Sequence, residues 1–251
     1  ASGRADVSLC ELDDERRRVV ADRYGVNRSY GDLAAALEHR YDAAVIATPA
    51  PLHVPVATQL AAAGTHLLIE KPLSTSLDGV ARLEQTVAAR GIVAAVAYVY
   101  RSHPALQAMR QAIREGRFGR PVQIVAVAGQ HFPTYRPAYR SIYYNDRAQG
   151  GGAVQDALTH LVNAGEFLVG PIDRVMADAA HQVLEGVEVE DTVHVLARHS
   201  GVLGSYCLNQ HQAPDEMTIT VIGDRGTARF EMHNARWRWM SEPSGEWHDE
   251  P

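Results

Sequence analysis

Asp156 and His160 stand four residues apart in the run GGGAVQDALTH. If that run is helical, the spacing puts both side chains on one face. A histidine beside a carboxylate can act as a general base, the carboxylate setting its tautomer and orientation. The same pair can equally be a structural hydrogen-bonded contact or two ligands of a metal. The metal reading needs a third ligand, and His181, His194, His199 and His211 are too scattered to nominate one, so no metal site is expected. Lys71 is the other residue that invites chemistry. It closes the apolar stretch HLLIEKP, where the following proline restricts it to extended conformations and gives its side chain a fixed aim. A lysine that snorkels to solvent is the plain alternative. On the lip of a nucleotide crevice, the same amine could hold a substrate hydroxyl and help move its proton.

The elements that must position these residues fall into two styles. From Ala5 to about Val99, strands and helices alternate. DVSLCEL reads as a strand, and Asp13 then offers a helix cap, with Asp14 and Glu15 in the first turn and Gly25 as the stop. DAAVIATP is a near-continuous apolar run, which predicts a central parallel strand covered on both faces. A helix from about His53 to Ala63 and the strand HLLIE follow, then a helix from about Ser76 to Arg90 and the strand IVAAVAYVY. This predicts an α/β fold, a doubly wound Rossmann-type parallel sheet over residues 1–101. Residues 102–251 change rhythm: a helix, the long strand PVQIVAVAGQHF, a tyrosine- and arginine-rich loop, GGGAVQDALTHLVNAGEFLVG as one helix, and then alternating strands with glycine-centred turns. They predict an α+β domain with an open, mostly antiparallel sheet, on whose faces His194 and His211 should lie.

In open parallel sheets ligands bind beyond the carboxyl ends of the strands. Glu11, Thr48-Pro49 and Glu70-Lys71-Pro72 all follow strands and fall on one edge. Glu11 stands where an acid commonly accepts the hydroxyls of an adenine ribose, although a solvated charge would also suit that place. The G-x-G-x-x-G fingerprint is absent, since only ten residues precede Glu11 and Gly3 is the one glycine among them. The triplet Gly150–Gly152 follows an irregular loop and lacks the motif spacing, so it reads as a turn that lets backbones approach closely rather than as a phosphate loop. The net charge of −6, without a basic run, argues against nucleic acid as a partner. The longest apolar stretch, around Ile92–Val99, is far short of the roughly 18 residues of a membrane helix. Two cysteines, Cys10 and Cys207, in no metal or redox spacing fit a reducing, cytoplasmic setting. The chain opens without Met and almost inside a strand, which leads one to expect that its true start is missing.

Four motifs in order, ATPAPLH, EKP after an apolar strand, GRFGRPV and GGGAVQDALTH, resemble the glucose–fructose oxidoreductase and inositol dehydrogenase family (Gfo/Idh/MocA) over nearly the whole chain. The resemblance implies an N-terminal domain that binds NAD(H) or NADP(H), and a C-terminal domain that covers the nicotinamide and forms a homo-oligomer through its sheet. By position, Lys71 matches the family's EKP lysine, Asp156 the helix aspartate and His160 the acid–base histidine. The implied reaction is hydride transfer from a carbinol carbon of a sugar, cyclitol or related polyol to nicotinamide. His160 would take the hydroxyl proton, Asp156 would orient it, and Lys71 would polarise the oxygen. Glu11 matches the acid on the adenosine ribose, which favours NAD over NADP. Thr48, Pro49, Pro51 and His53 match a turn that lies along the cofactor, with Glu70 in the same crevice; Arg101 is retained beside it, while Val99 replaces a polar residue. In the loop PTYRPAYRSIYYNDR, the residues Arg136, Tyr139, Arg140, Tyr144 and Arg147 are candidates for contacting substrate hydroxyls, or else parts of a rigid interface loop. Relatives usually have a strand and a glycine loop before the point where this chain begins, and usually continue past its end, so both termini look truncated and the pyrophosphate site incomplete. An NAD-dependent glycosidase and a non-catalytic nucleotide-binding regulator are the alternatives the family allows.

Overall fold

The alternation of strands and helices in the first hundred residues is realised in a computed structural model that describes residues 4–250. The chain divides into two units, one comprising the residues up to Thr48 together with Leu52–Val96, the other Pro49–Pro51 and everything from Ala97 on. In the first unit, β1 (Ser8–Cys10), α1 (Asp14–Tyr24), β2 (Arg28–Tyr30), α2 (Leu33–Leu37), β3 (Ala43–Ile46), α3 (His53–Ala62), β4 (His66–Ile69), α4 (Val80–Arg90) and β5 (Ala94–Val96) follow one another. Asp13 caps α1 by accepting the Arg16 amide at 2.8 Å, and Gly25 ends that helix in the left-handed conformation, as expected. Helix α4 begins at Val80, later than expected. The hydroxyls of Ser74 and Ser76 accept the amides of Ser76 and Asp78 and hold the preceding residues in serine turns instead.

All strand pairs of this unit are parallel: β1 with β2, and β3, β4 and β5 in that order. Helices α3 and α4 bury Val54, Ala57, Leu60 and Leu83 against Ile46, Leu67 and Ile69. The opposite face is open, with Val45 70% and Leu68 42% exposed, so β3 is covered on one side and not on both. An apolar run shows that both faces of a strand tolerate burial; which face receives helices depends on where the crossovers go.

The second unit contains α5 (Pro104–Arg114), β6 (Pro121–Gly129), α6 (Phe132–Tyr135), α7 (Thr159–Val169), β7 (Arg174–Ala180), β8 (Thr192–His199), β9 (Val202–Asn209), β10 (Glu216–Gly223), β11 (Thr227–Glu231), β12 (Arg236–Met240) and β13 (His248–Glu250). Eight strands form one sheet in the order β13-β12-β11-β10-β6-β9-β8-β7, antiparallel throughout except for the parallel pair β6–β9. Leu106, Met109 and Ile113 of α5 and Leu161 and Leu168 of α7 pack on Ile124, Val195, Tyr206, Ile219 and Phe230 from one face of that sheet. The other face carries Leu196 and Leu203, 60% and 51% exposed, with His194 beside them. The expected single helix from Gly150 to Gly170 runs without a break from Gly152 to Val169, widened into a π turn at Val154–Leu158 before α7. No helix among the described residues is long and apolar enough to cross a membrane.

Candidate active site

In the second unit, the loop read either as a substrate contact or as a rigid interface loop packs its aromatics largely inward. Phe132, Tyr139 and Tyr144 form a small apolar cluster with Leu184, Val187 and Val189 from the β7–β8 connection. Tyr139 is 1% exposed and donates its hydroxyl to the Glu185 carbonyl at 2.9 Å. Tyr144 is fully buried, with its hydroxyl on the Gln210 side chain and the Glu190 carbonyl. Burial, and then the charges of Asp156, Asp191 and Glu190, push that phenol far above the usual tyrosine range. A buried side chain with an engaged hydroxyl presents nothing to a bound sugar, so the substrate-contact expectation is corrected for Tyr139 and Tyr144. Arg140 donates to the Glu185 carbonyl at 2.7 Å and Arg147 to the Glu190 carboxylate at 2.6 Å; both remain about half exposed or more.

The loop's partner is Asp156. Its carboxylate, 3% exposed, accepts Nη1 of Arg136 on one oxygen and the Tyr143 hydroxyl on the other, each at 2.6 Å. Burial raises the Tyr143 hydroxyl above its ordinary range and the neighbouring Asp156 charge raises it further. Burial alone would lower Arg136; the attraction of Asp156 and the bond to Tyr143 outweigh it and hold the guanidinium above its usual value. The sequence pattern did not reveal this clamp: Tyr143 carried no spacing signal, and Arg136 was read either as a substrate contact or as part of a rigid interface loop.

His160, on the first turn of α7, lies edge-on to the Tyr98 ring at 5.9 Å and tilted against Tyr100 at 5.1 Å. Burial raises both phenols above their ordinary range. No periodicity in AYVYR announced that both rings would meet His160, because the segment turns into a short helix at Val99–Ser102. Arg101 is exposed and tied to the same helix, donating to Asn163 Oδ1 at 2.7 Å and stacking over Phe167 at 5.3 Å.

In the first unit, the residues after β1, β3 and β4 lie at the carboxyl ends of parallel strands. Glu11 extends β1, its amide donating to the Tyr30 carbonyl, while its carboxylate accepts the Asp13 amide at 3.0 Å and stands 3.7 Å from Arg16. Thr48 and Glu70 are exposed; Pro49, exposed as well, and Pro51, in the turn Ala50–Leu52 that leads into α3, group with the second unit. Because Ile46 pairs with Ile69, the turn after β3 and the turn carrying Lys71 are neighbours. The Lys71–Pro72 peptide is cis. His53 is 2% exposed and its two ring nitrogens lie 2.8 Å from the carbonyls of Thr48 and Pro72. The expectation that His53 lies along the cofactor is therefore corrected: a buried ring held at both nitrogens clips the two turns together. Among the described residues, no group of three or more His, Cys, Asp or Glu is placed to hold a metal ion.

Parallel strands with an acid after β1 and a lysine turn after β4, and a second unit with an open-faced sheet whose helical segment carries Asp156 and His160, define a class. Residues 4–98 match the oxidoreductase family with an NAD-binding Rossmann fold, and residues 106–229 match the GFO/IDH/MocA C-terminal domain. The chain belongs to the Gfo/Idh/MocA oxidoreductase family. It is 29% identical over 241 residues to D-apiose dehydrogenase of Paraburkholderia graminis, covering 91% of this chain and 63% of that protein. The WlbA dehydrogenase of Bordetella pertussis, solved with NADH and UDP-GlcNAcA, is 30% identical at a TM-score of 0.79, with 89% of this chain and 68% of that one covered. A levoglucosan dehydrogenase solved with NADH and levoglucosan shares the fold at a TM-score of 0.89 and 23% identity, covering 98% of this chain and 70% of that one. The chain thus spans just under two thirds of the length of the curated relatives it matches first.

Proposed function

We propose that this protein transfers a hydride between a secondary alcohol of a sugar, cyclitol or related polyol and NAD, with His160 exchanging the hydroxyl proton. The observation that carries this reading is the pairing on one helix of a clamped carboxylate, Asp156, with a histidine set against two tyrosines that hold their protons. Of these rings, the imidazole is the one suited to take and return a proton near neutral pH. Asp156, fixed by Arg136 and Tyr143, lies four residues before His160 on the same helical segment. Lys71 brings positive charge to the strand-end turn where a ligand hydroxyl would become more acidic.

The residues of the first unit fit such a cofactor at two places. Glu11, after β1, suits the adenosine ribose, and the turns at Thr48-Pro49 and Glu70-Lys71 suit the nicotinamide end. Bound NAD supplies the hydride acceptor. The acid at Glu11 favours NAD over NADP, since a 2′-phosphate would meet its charge, although Arg16 at 3.7 Å softens that repulsion. The relatives named for D-apiose and levoglucosan support a carbohydrate-like substrate. We also infer a homo-oligomer through the open sheet face around Leu196 and Leu203, and, from two unlinked cysteines, a reducing cytoplasm.

The test is His160→Ala in the full-length protein, with NADH formation followed across a broad panel of sugars and polyols. Turnover should fall by about 10²- to 10⁴-fold while NADH still binds. Unchanged turnover in the variant, or no NADH from the parent with any compound, overturns the reading.

A further inference from the structure

Glu190, the partner of Arg147 and of the Tyr144 hydroxyl, is 5% exposed and its carboxylate is engaged on both oxygens. It lies in the connection that leads into β8, and its carboxylate sits at the N-terminal end of the turn that carries Asp156. One oxygen accepts the Val154 amide at 3.1 Å, the other accepts Arg147 at 2.6 Å, and the Glu190 carbonyl accepts the Ala153 amide at 2.8 Å. Two of the amides that a helix start leaves unpaired are thereby satisfied by one residue, with negative charge where the helix dipole favours it. The glycine triplet makes this approach possible. Gly152 has a φ of +88°, and a Cβ there would lie 2.4 Å from the Glu190 carboxylate; a Cβ on Gly151 would meet the Tyr144 carbonyl at 2.3 Å. The site that looks in sequence like a phosphate cradle holds the protein's own carboxylate.

We propose that Glu190 is a positioning residue: it fixes where the π turn begins, and so the direction in which Asp156 and His160 are presented. The neighbouring Asp191 braces the same connection from the other side, accepting the amides of Gln182, Val183 and Leu184. Arg147 joins Glu190 to the loop whose Arg136 and Tyr143 hold Asp156, so the helix start and the Asp156 clamp share one support.

The kinetic part of this inference rests on the proposed oxidoreduction, and the test separates the two. Glu190→Ala and Glu190→Gln are compared in the full-length protein for kcat, KM, NADH affinity and the ring NMR signals of His160. Glutamine keeps an acceptor for the Val154 amide. Glu190→Ala should lower kcat by about tenfold to a hundredfold with NADH affinity within about twofold, and shift the His160 signals; Glu190→Gln should recover most of both. Unmoved His160 signals in the alanine variant overturn the proposal, as does an equal loss of NADH affinity in both variants. If the alanine variant does not fold, the glutamine variant is read against Gly152→Ala, whose added methyl should displace the carboxylate and shift His160; unmoved signals there also overturn it. If the parent shows no turnover, the oxidoreductase reading fails and the His160 signals alone decide the positioning role.

Discussion

Replacing Arg136 by alanine tests the arrangement around Asp156 most directly. The guanidinium lies 2.6 Å from a carboxylate that is 3% exposed, and is itself 33% exposed. Removing one partner of a buried pair costs about 3–5 kcal/mol. Water can reach the vacated outer end of Arg136, and the Tyr143 hydroxyl still donates, which brings the expected loss to about 2–3 kcal/mol. At a urea slope near 3 kcal/mol per molar, the unfolding midpoint should fall by about 1 M. Asp156→Asn removes the charge that Arg136 answers, so the double variant should be more stable than the two single losses predict, by about 1–2 kcal/mol. Urea titrations of the four proteins, read by circular dichroism, measure that coupling. A midpoint shift under about 0.2 M for Arg136→Ala, or strict additivity in the double variant, would refute the view that Asp156 depends on this clamp.

Three further outcomes follow. His53→Ala should remove the buried ring that lies between the Thr48 and Pro72 carbonyls and donates to one of them, lowering stability by about 2–4 kcal/mol and weakening NADH binding, as thermal melts and fluorescence titration would show. The Asp191 carboxyl is lowered: burial acts to raise it, but the amides of Leu184, Val183 and Gln182 and the Thr192 hydroxyl outweigh that. Its contribution is present above the ordinary carboxylate range and lost as pH falls through the depressed folded value, so Asp191→Asn should flatten the acid side of a stability–pH curve; parallel curves would contradict this. Leu196→Glu with Leu203→Glu should shift light-scattering mass toward the single chain if the open sheet face is an interface between copies.

The order of elements, the cap at Asp13, the stop at Gly25 and the change from parallel to antiparallel pairing were legible because each rests on local chemistry: hydrophobic period, short polar caps and glycines in left-handed turns. The inward-facing tyrosines were not. A loop rich in Tyr and Arg has the same composition whether its rings meet a ligand or the chain's own β7–β8 connection, and that connection lies some forty residues further on. The glycine triplet was read correctly as a place of close approach, but what approaches is Glu190, which no local pattern indicates. His53 was legible as part of a turn and not as a buried clip, because its two carbonyl partners belong to separate loops.

The π turn at Val154–Leu158 amounts to one residue more than an α-helix would use over that stretch. Deleting a residue there would let the segment relax into regular α-helix and strengthen its backbone ladder. It would also turn Asp156 and the glycine end by about 100° relative to His160, the angular step of a single residue. A more stable helix would then carry Asp156 and His160 turned away from one another. At this point in the chain local helical regularity and the placement of Asp156 relative to His160 are opposed, and the number of residues between the glycines and the histidine is the quantity that records which of the two prevailed.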